Sequence, residues 1–237
     1  MSKIQLPIAE LKPALAGLGK VIQKSTHLPV LKTVKVDRTR DGWITLTGTD
    51  LDAFITVRLE EPAAGEPASI LVPFDDLAKT TKGCATGEAL TVEKAGKEAV
   101  VLHYPVGQQM AQITLESPGV EEFPPVPKIK SEPVPLSNDI RTALLEAMEC
   151  ASTDTTRYIL QGACIDVSDR KCHHIVGTDG RHLYSSNSFA LPLAESLIIP
   201  THKFLGWKEF NADGEWQLRV EPALKDTRST SLIKPVS

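Results

Sequence analysis

A chain of 237 residues, 41% hydrophobic and 24% charged, has the make-up of a folded globular protein with one or two domains. Its net charge of -4 excludes a surface coated in positive charge, yet leaves room for a local basic face that attracts phosphates. Four cysteines without CxxC spacing argue against a zinc or thioredoxin-type site, and the lack of a signal peptide or bilayer-length apolar run points to a cytoplasmic protein with free, buried thiols.

The first predicted element is a helix. Ile8, Leu11, Leu15, Leu18 and Ile22 recur at helical spacing, Pro13 is expected near the start, and Lys12, Lys20 and Lys24 occupy the other face. Alternating Val34/Val36 and Ile44/Leu46 predict two strands joined at Asp41-Gly42, a hairpin turn signal. Strands at 54–59 and 69–72 lead into a second helix from Pro73 to Lys79, and strands at 89–94, 99–104 and 110–116 follow. The stiff, Pro-rich run from Glu121 to Lys128 is the expected linker.

The second half repeats this order. Ser137 is the predicted N-cap of a helix carrying Ile140, Leu144, Ala147, Met148 and Ala151 on one face. Strands are predicted at 162–167, 173–178, 183–186 and 196–200, then a Pro-started helix from Thr201 to Phe210, and closing strands at 215–221 and 227–233. Leu46-Thr47-Gly48-Thr49-Asp50-Leu51 in the first half corresponds to Ile175-Val176-Gly177-Thr178-Asp179-Gly180 in the second, and Ser69-Ile70-Leu71-Val72-Pro73 to Ser196-Leu197-Ile198-Ile199-Pro200. Two copies of one α+β domain, 1–127 and 128–237, are therefore expected, each with two helices on antiparallel sheet.

An ordered set of short pieces carries a resemblance: Thr26-His27-Leu28-Pro29-Val30-Leu31, the Gly48-Thr49-Asp50 segment, Glu122-Phe123-Pro124, Arg157-Tyr158-Ile159-Leu160-Gln161-Gly162, Thr178-Asp179-Gly180 and Ile198-Ile199-Pro200. In this order they resemble the beta subunit of bacterial DNA polymerase III, the DNA sliding clamp family. The resemblance implies tandem DNA-clamp domains in a ring of six, with helices lining a hole for duplex DNA. It implies a processivity factor that tethers DNA polymerase and clamp-loader subunits through short peptide motifs, without enzymatic activity, metal or cofactor. The family usually carries three domains per chain and closes as a dimer. Two domains per chain make a homo-oligomer closed as a head-to-tail trimer one arrangement. The chain is then either a short clamp-like protein or a piece of a longer one.

A sliding contact must attract phosphates without reading bases, which suits long cations on helices. Lys12, Lys20, Lys24, Lys79, Lys82, Arg141, Lys203 and Lys208 are the candidates; the alternative is that they solvate exposed faces. The third helix also bears Asp139, Glu146 and Glu149, which oppose such a lining. By the resemblance, Lys24 and Arg157-Tyr158 lie near DNA; alternatively Tyr158 packs in the core and Arg157 forms an internal ion pair. The resemblance also assigns a partner-peptide pocket to Leu160, Thr178, Gly180, Arg181, His182 and Leu183, against the alternative of a structural turn capped by Asp179. The family's Thr-Asp-Gly-His-Arg-Leu reads Thr-Asp-Gly-Arg-His-Leu in this chain. Cys172-His173-His174 does not suggest metal, because neighbours on a strand point to opposite faces. A clamp-derived interaction module that does not encircle DNA, and an enzyme using the Thr178-Asp179-Gly180 turn, are the competing functional readings; no nucleophile–base set supports the latter.

Overall fold

A computed structural model describes residues 2–23, 25–212, 214–224 and 227–233, with side chains described as far as Glu221. The chain divides into two compact units, Met1–Val126 and Pro127–Ser237.

The first unit runs β1 (Lys3–Pro7), α1 (Ile8–Leu18), β2 (Thr33–Arg38), β3 (Ile44–Thr49), β4 (Phe54–Arg58), β5 (Ala68–Pro73), α2 (Phe74–Gly83), β6 (Ala89–Lys94), β7 (Ala99–Val106) and β8 (Gln109–Glu116). They form two antiparallel sheets, ordered β4-β3-β2-β5 and β1-β6-β7-β8. The alternation in β2 and β3 buries Val34, Val36, Ile44 and Leu46, and Gly42 turns the hairpin with φ +83°. Helix α1 buries Ile8, Leu11, Ala14, Leu15 and Leu18, while α2 buries Phe74, Leu77 and Thr81.

The second unit runs β9 (Val134–Leu136), α3 (Asn138–Glu149), β10 (Gly162–Asp166), β11 (His173–Thr178), β12 (Leu183–Phe189), β13 (Leu197–Pro200), α4 (Lys208–Asn211), β14 (Trp216–Leu224) and β15 (Thr227–Ile233). Its sheets are ordered β12-β11-β10-β13 and β15-β14-β9. Element for element, this is the order of the first unit. A strand corresponding to β8 is not among the described residues. Ser137 caps α3 as predicted, its Oγ accepting from the Ile140 N–H at 3.4 Å. The core gathers Ile140, Leu144 and Ala147 against Ala163, Ile165, Ile175 and Leu218.

The structure corrects four expectations. Pro13 sits mid-helix, because β1 runs straight into α1 at Ile8; its ring removes the bond to the Ala9 carbonyl, and Ala9 is exposed, so water can serve that oxygen. The predicted helix 201–210 is a 3-10 turn (Lys203–Gly206) followed by the single-turn α4. There His202 Nδ1 accepts from the Phe204 N–H at 3.2 Å, and the buried Trp207 takes an extended conformation (φ -76°, ψ 125°) after the weak helix former Gly206. The predicted linker is anchored at its start: Phe123 is buried in the first unit, with the Lys35 ammonium 6.0 Å from its ring centre. Of the four free cysteines only Cys84 is buried; Cys150, Cys164 and Cys172 are half-buried.

Helix and strand meet most closely at a repeated glycine. A Cβ on Gly177 of β11 would lie 1.8 Å from the Ala147 carbonyl oxygen of α3, and one on Gly48 of β3 would lie 2.9 Å from Ile22 Cγ1. The first obstacle is backbone and cannot yield; the second is a side chain that can. Gly177→Ala is expected to lower stability by about 3 kcal/mol, and Gly48→Ala by about 1 kcal/mol. Urea unfolding followed by tryptophan fluorescence measures both, and equal losses would contradict this packing.

Candidate functional site

Beyond each repeated glycine the chain makes the same turn. In the first unit, Thr49 Oγ1 donates to the Ala53 carbonyl (2.8 Å) and accepts from the Leu51 N–H (2.9 Å), while Asp50 Oδ1 accepts from the Ala53 N–H (2.8 Å). In the second, Thr178 Oγ1 donates to the His182 carbonyl (2.6 Å) and accepts from the Gly180 N–H (3.0 Å), while Asp179 Oδ1 accepts from the His182 N–H (2.7 Å). The residue after Asp needs positive φ in both: +82° at Leu51, +89° at Gly180. Thr and Asp therefore serve the turn. The second turn gains more bonds, as Asp179 also takes the Arg181 N–H (2.8 Å) and faces His182 Nδ1 (3.1 Å). These bonds, led by the backbone N–H groups of His182 and Arg181, hold the Asp179 carboxyl well below the usual range.

The turn meets the loop that follows α3. Asp154 folds that loop by accepting from the Thr156 N–H (2.9 Å) and hydroxyl (2.7 Å), and its other oxygen lies 3.7 Å from Arg157 Nε. The Thr156 bonds and then Arg157 lower the Asp154 pKa. Arg157 Nη1 lies 3.3 Å from where a Gly180 Cβ would stand. Bare backbone at Gly180 thus admits the guanidinium. Arg157 and Tyr158, assigned to DNA, and Thr178 to Leu183, assigned to peptide, consequently share one surface of the second unit.

On that surface Tyr158 is 75% exposed, which removes the core-packing alternative, and Arg157 forms the internal ion pair with Asp154 while remaining exposed. Leu160 is half-buried at the end of a 3-10 turn (Tyr158–Leu160), its carbonyl accepting from the Ser152 N–H at 2.7 Å. Leu183 is 70% exposed, and Arg181 and His182 are exposed. Ile159, between Tyr158 and Leu160, is also 56% exposed and went unmarked in the sequence. The sequence also gave no warning of an open groove of about 550 Å³ between α3 and β12, lined by Asp139, Thr142, Glu146, Tyr184, Asn187 and Phe189 among others. In it a hydrogen bond to Glu146 raises the Tyr184 pKa.

The helix cations divide. Lys79 and Lys82 are exposed on α2, and Lys20 is half-buried in the turn after α1. Lys203 and Lys208 are exposed on the broken helix. Lys12 is committed elsewhere: its Nζ donates to the Cys84 carbonyl at the end of α2 (2.8 Å), where a cation suits the helix dipole. Arg141 turns inward over the Trp216 ring, 5.7 Å from its centre, with Nη1 buried. Each of the two thus has a partner distant in sequence, and both stay half-buried. Lys24 lies outside the described residues. Asp139, Glu146 and Glu149 are exposed on α3. His173 Nδ1 accepts from the Leu191 N–H (2.9 Å), and no metal-holding cluster occurs among the described residues. Among these residues no helix is long and apolar enough to cross a membrane.

No protein-family model matches the chain. It is 28% identical over 234 residues to the beta sliding clamp of Pseudomonas putida, covering 94% of this chain and 60% of that protein. In fold it is similar to the DNA polymerase III beta subunit of Pseudomonas aeruginosa (TM-score 0.75, 22% identity, 92% of this chain and 59% of that one). It is equally similar to the sliding clamp of Bartonella birtlesii bound to griselimycin (TM-score 0.75, 23% identity, 92% and 59%). The chain spans about 60% of the length of the curated relatives it matches. These likenesses support the DNA sliding clamp family, and the fold is α+β with tandem clamp domains.

The Asp179 carboxylate has a lowered folded-state pKa, so it adds stability above the ordinary Asp value of about 3.9 and loses that contribution as pH falls below it. The stability difference between wild type and Asp179→Asn should be constant near neutrality and shrink below about pH 4. Denaturant titrations across that range measure it, and a difference flat to pH 2 would contradict the turn chemistry.

Proposed function

We propose that this chain is a DNA sliding clamp or clamp-like processivity factor, which encircles duplex DNA and tethers replication proteins without catalysing a reaction. The observation that carries this reading is the tandem repeat of the clamp domain. Topology then holds the protein on DNA, and weak, salt-sensitive phosphate contacts permit movement along it. Lys20, Lys79 and Lys82 of the first unit and Lys203 and Lys208 of the second are the cations available for those contacts. Three head-to-tail copies supply six domains, a ring closed through sheet edges that would otherwise invite aggregation. DNA polymerase and clamp-loader subunits dock by short peptides on the surface around Arg157–Leu160 and Thr178–Leu183, and the work takes place in the cytoplasm.

A second reading, a clamp-derived interaction module that does not encircle DNA, draws support from α3. That helix exposes three acids while its Arg141 faces inward, which weakens attraction to phosphates on that side.

Retention on circular against linear duplex separates the two. The protein should persist on a closed circle and run off a linear fragment; equal loss from both would favour the second reading. In Lys20→Gln/Lys79→Gln/Lys82→Gln the half-life on circles should fall several-fold. The salt dependence of binding should flatten by about 0.9 in log–log slope for each phosphate contact removed. An unchanged half-life would remove these lysines from the DNA path.

A further inference from the structure

We propose that the groove between α3 and β12 docks an extended, basic segment of a partner protein, which adds a strand to the β12 edge and sets a lysine or arginine beside Glu146. The residues that line this groove are not those of the Arg157 loop or the Thr178–Leu183 turn, and its role is independent of encirclement.

The charge of the groove is one-sided. Its volume of about 550 Å³ is bordered by two carboxylates, Asp139 and Glu146, and its described lining includes no lysine, arginine or histidine. Both acids are exposed. Asp139 has a structural reason, since a carboxylate suits the first turn of a helix. Glu146 sits in the second half of α3, where the helix dipole gives a negative charge no support. Its hydrogen bond with the Tyr184 hydroxyl holds it over β12, and a neutral hydroxyl leaves its charge uncompensated. A cation supplied by a ligand would complete this pair of acids, whereas the phosphates of duplex DNA would be repelled.

The floor of the groove shows what form that ligand takes. Strand β12 is the last of its sheet: it pairs with β11, and no described strand lies beyond it. Leu183 to Ser186 keep regular register with β11, and the register shifts only between Ser186 and Phe189, where Ser188 has φ +76°. The outer N–H and C=O groups of this regular stretch are open to a further strand, and β12 carries none of the lysine or proline that commonly guards such an edge. Tyr184 and Ser186 are half-buried on the groove side, while Leu183 and Ser185 are exposed. An added strand runs about 4.8 Å from β12 and turns alternate side chains to the same side, where a lysine or arginine beside Tyr184 can reach Glu146. Strand addition and charge thus ask for one ligand, an extended segment with basic residues at every second position.

Fluorescence anisotropy on the full chain tests this with two labelled threonine heptapeptides, each carrying two lysines, either one residue apart or adjacent. Their charge is the same, and only the first can place both lysines on one face of a strand. The first should bind more tightly by about fivefold at low salt, the scale of exposed ion pairs. Raising the salt should erode that preference, and Glu146→Gln, which keeps an acceptor for Tyr184, should remove most of it. Methylating two successive backbone nitrogens of the first peptide should abolish its binding, because one of the two faces β12 in any register. Equal affinity for the two peptides, a preference unchanged in Glu146→Gln, or binding indifferent to methylation would overturn the proposal, as would no binding of either peptide. Self-association lost in Glu146→Gln, with no peptide bound, would reassign the groove to a second copy of this chain.

Discussion

Close packing against a glycine of a strand recurs in both units, beneath α3 in the second and beneath the end of α1 and the segment just after it in the first. At Gly177 the α3 carbonyl of Ala147 occupies the space a side chain would need, and at Gly48 the side chains of Ile22 and Leu18 occupy it. Contact this tight excludes every residue but glycine where backbone faces backbone. It also fixes where the strand ends. The next two residues, Thr and Asp, close the same hydrogen-bonded turn in each half. The repeated Gly-Thr-Asp is thus a packing rule followed by a turn rule, and the candidate site stands directly on it.

From that common frame the halves diverge at one position. The first turn places Leu51 at positive φ, with its side chain half in solvent; the second places Gly180 there. The missing Cβ leaves room over the turn, and in the second unit the Arg157 guanidinium lies there. The same scaffold therefore yields a plain structural turn in one unit and a surface with apolar and cationic groups in the other. No covalent chemistry is required of it.

Much of this was legible in the sequence because the signals were local. The strand alternation of Val34/Val36 and Ile44/Leu46, the Ser137 cap and the Gly42 turn each depend on neighbours a few residues away. The strands β1 and β9 escaped notice because they are short and run into their helices without a turn: Ile4 and Leu6 alternate with polar residues over only five positions. The helix expected at 201–210 broke at Gly206-Trp207 because burial of the indole ring outweighed helix propensity. Side-chain commitments were the least legible. Lys12 reads as a solvent-facing cation until the Cys84 carbonyl is brought to it from 72 residues away, and Arg141 until Trp216 slides beneath its guanidinium. Likewise, nothing local joins Arg157 to Gly180; only the fold does.

A tandem pair of clamp domains can act by encirclement only if copies of the chain close on one another. The mass of the purified protein in solution, measured by light scattering across micromolar concentrations, addresses this directly. A closed assembly at three times the chain mass of 25.7 kDa is the result this account expects. A particle that remains at the mass of one chain throughout would contradict it.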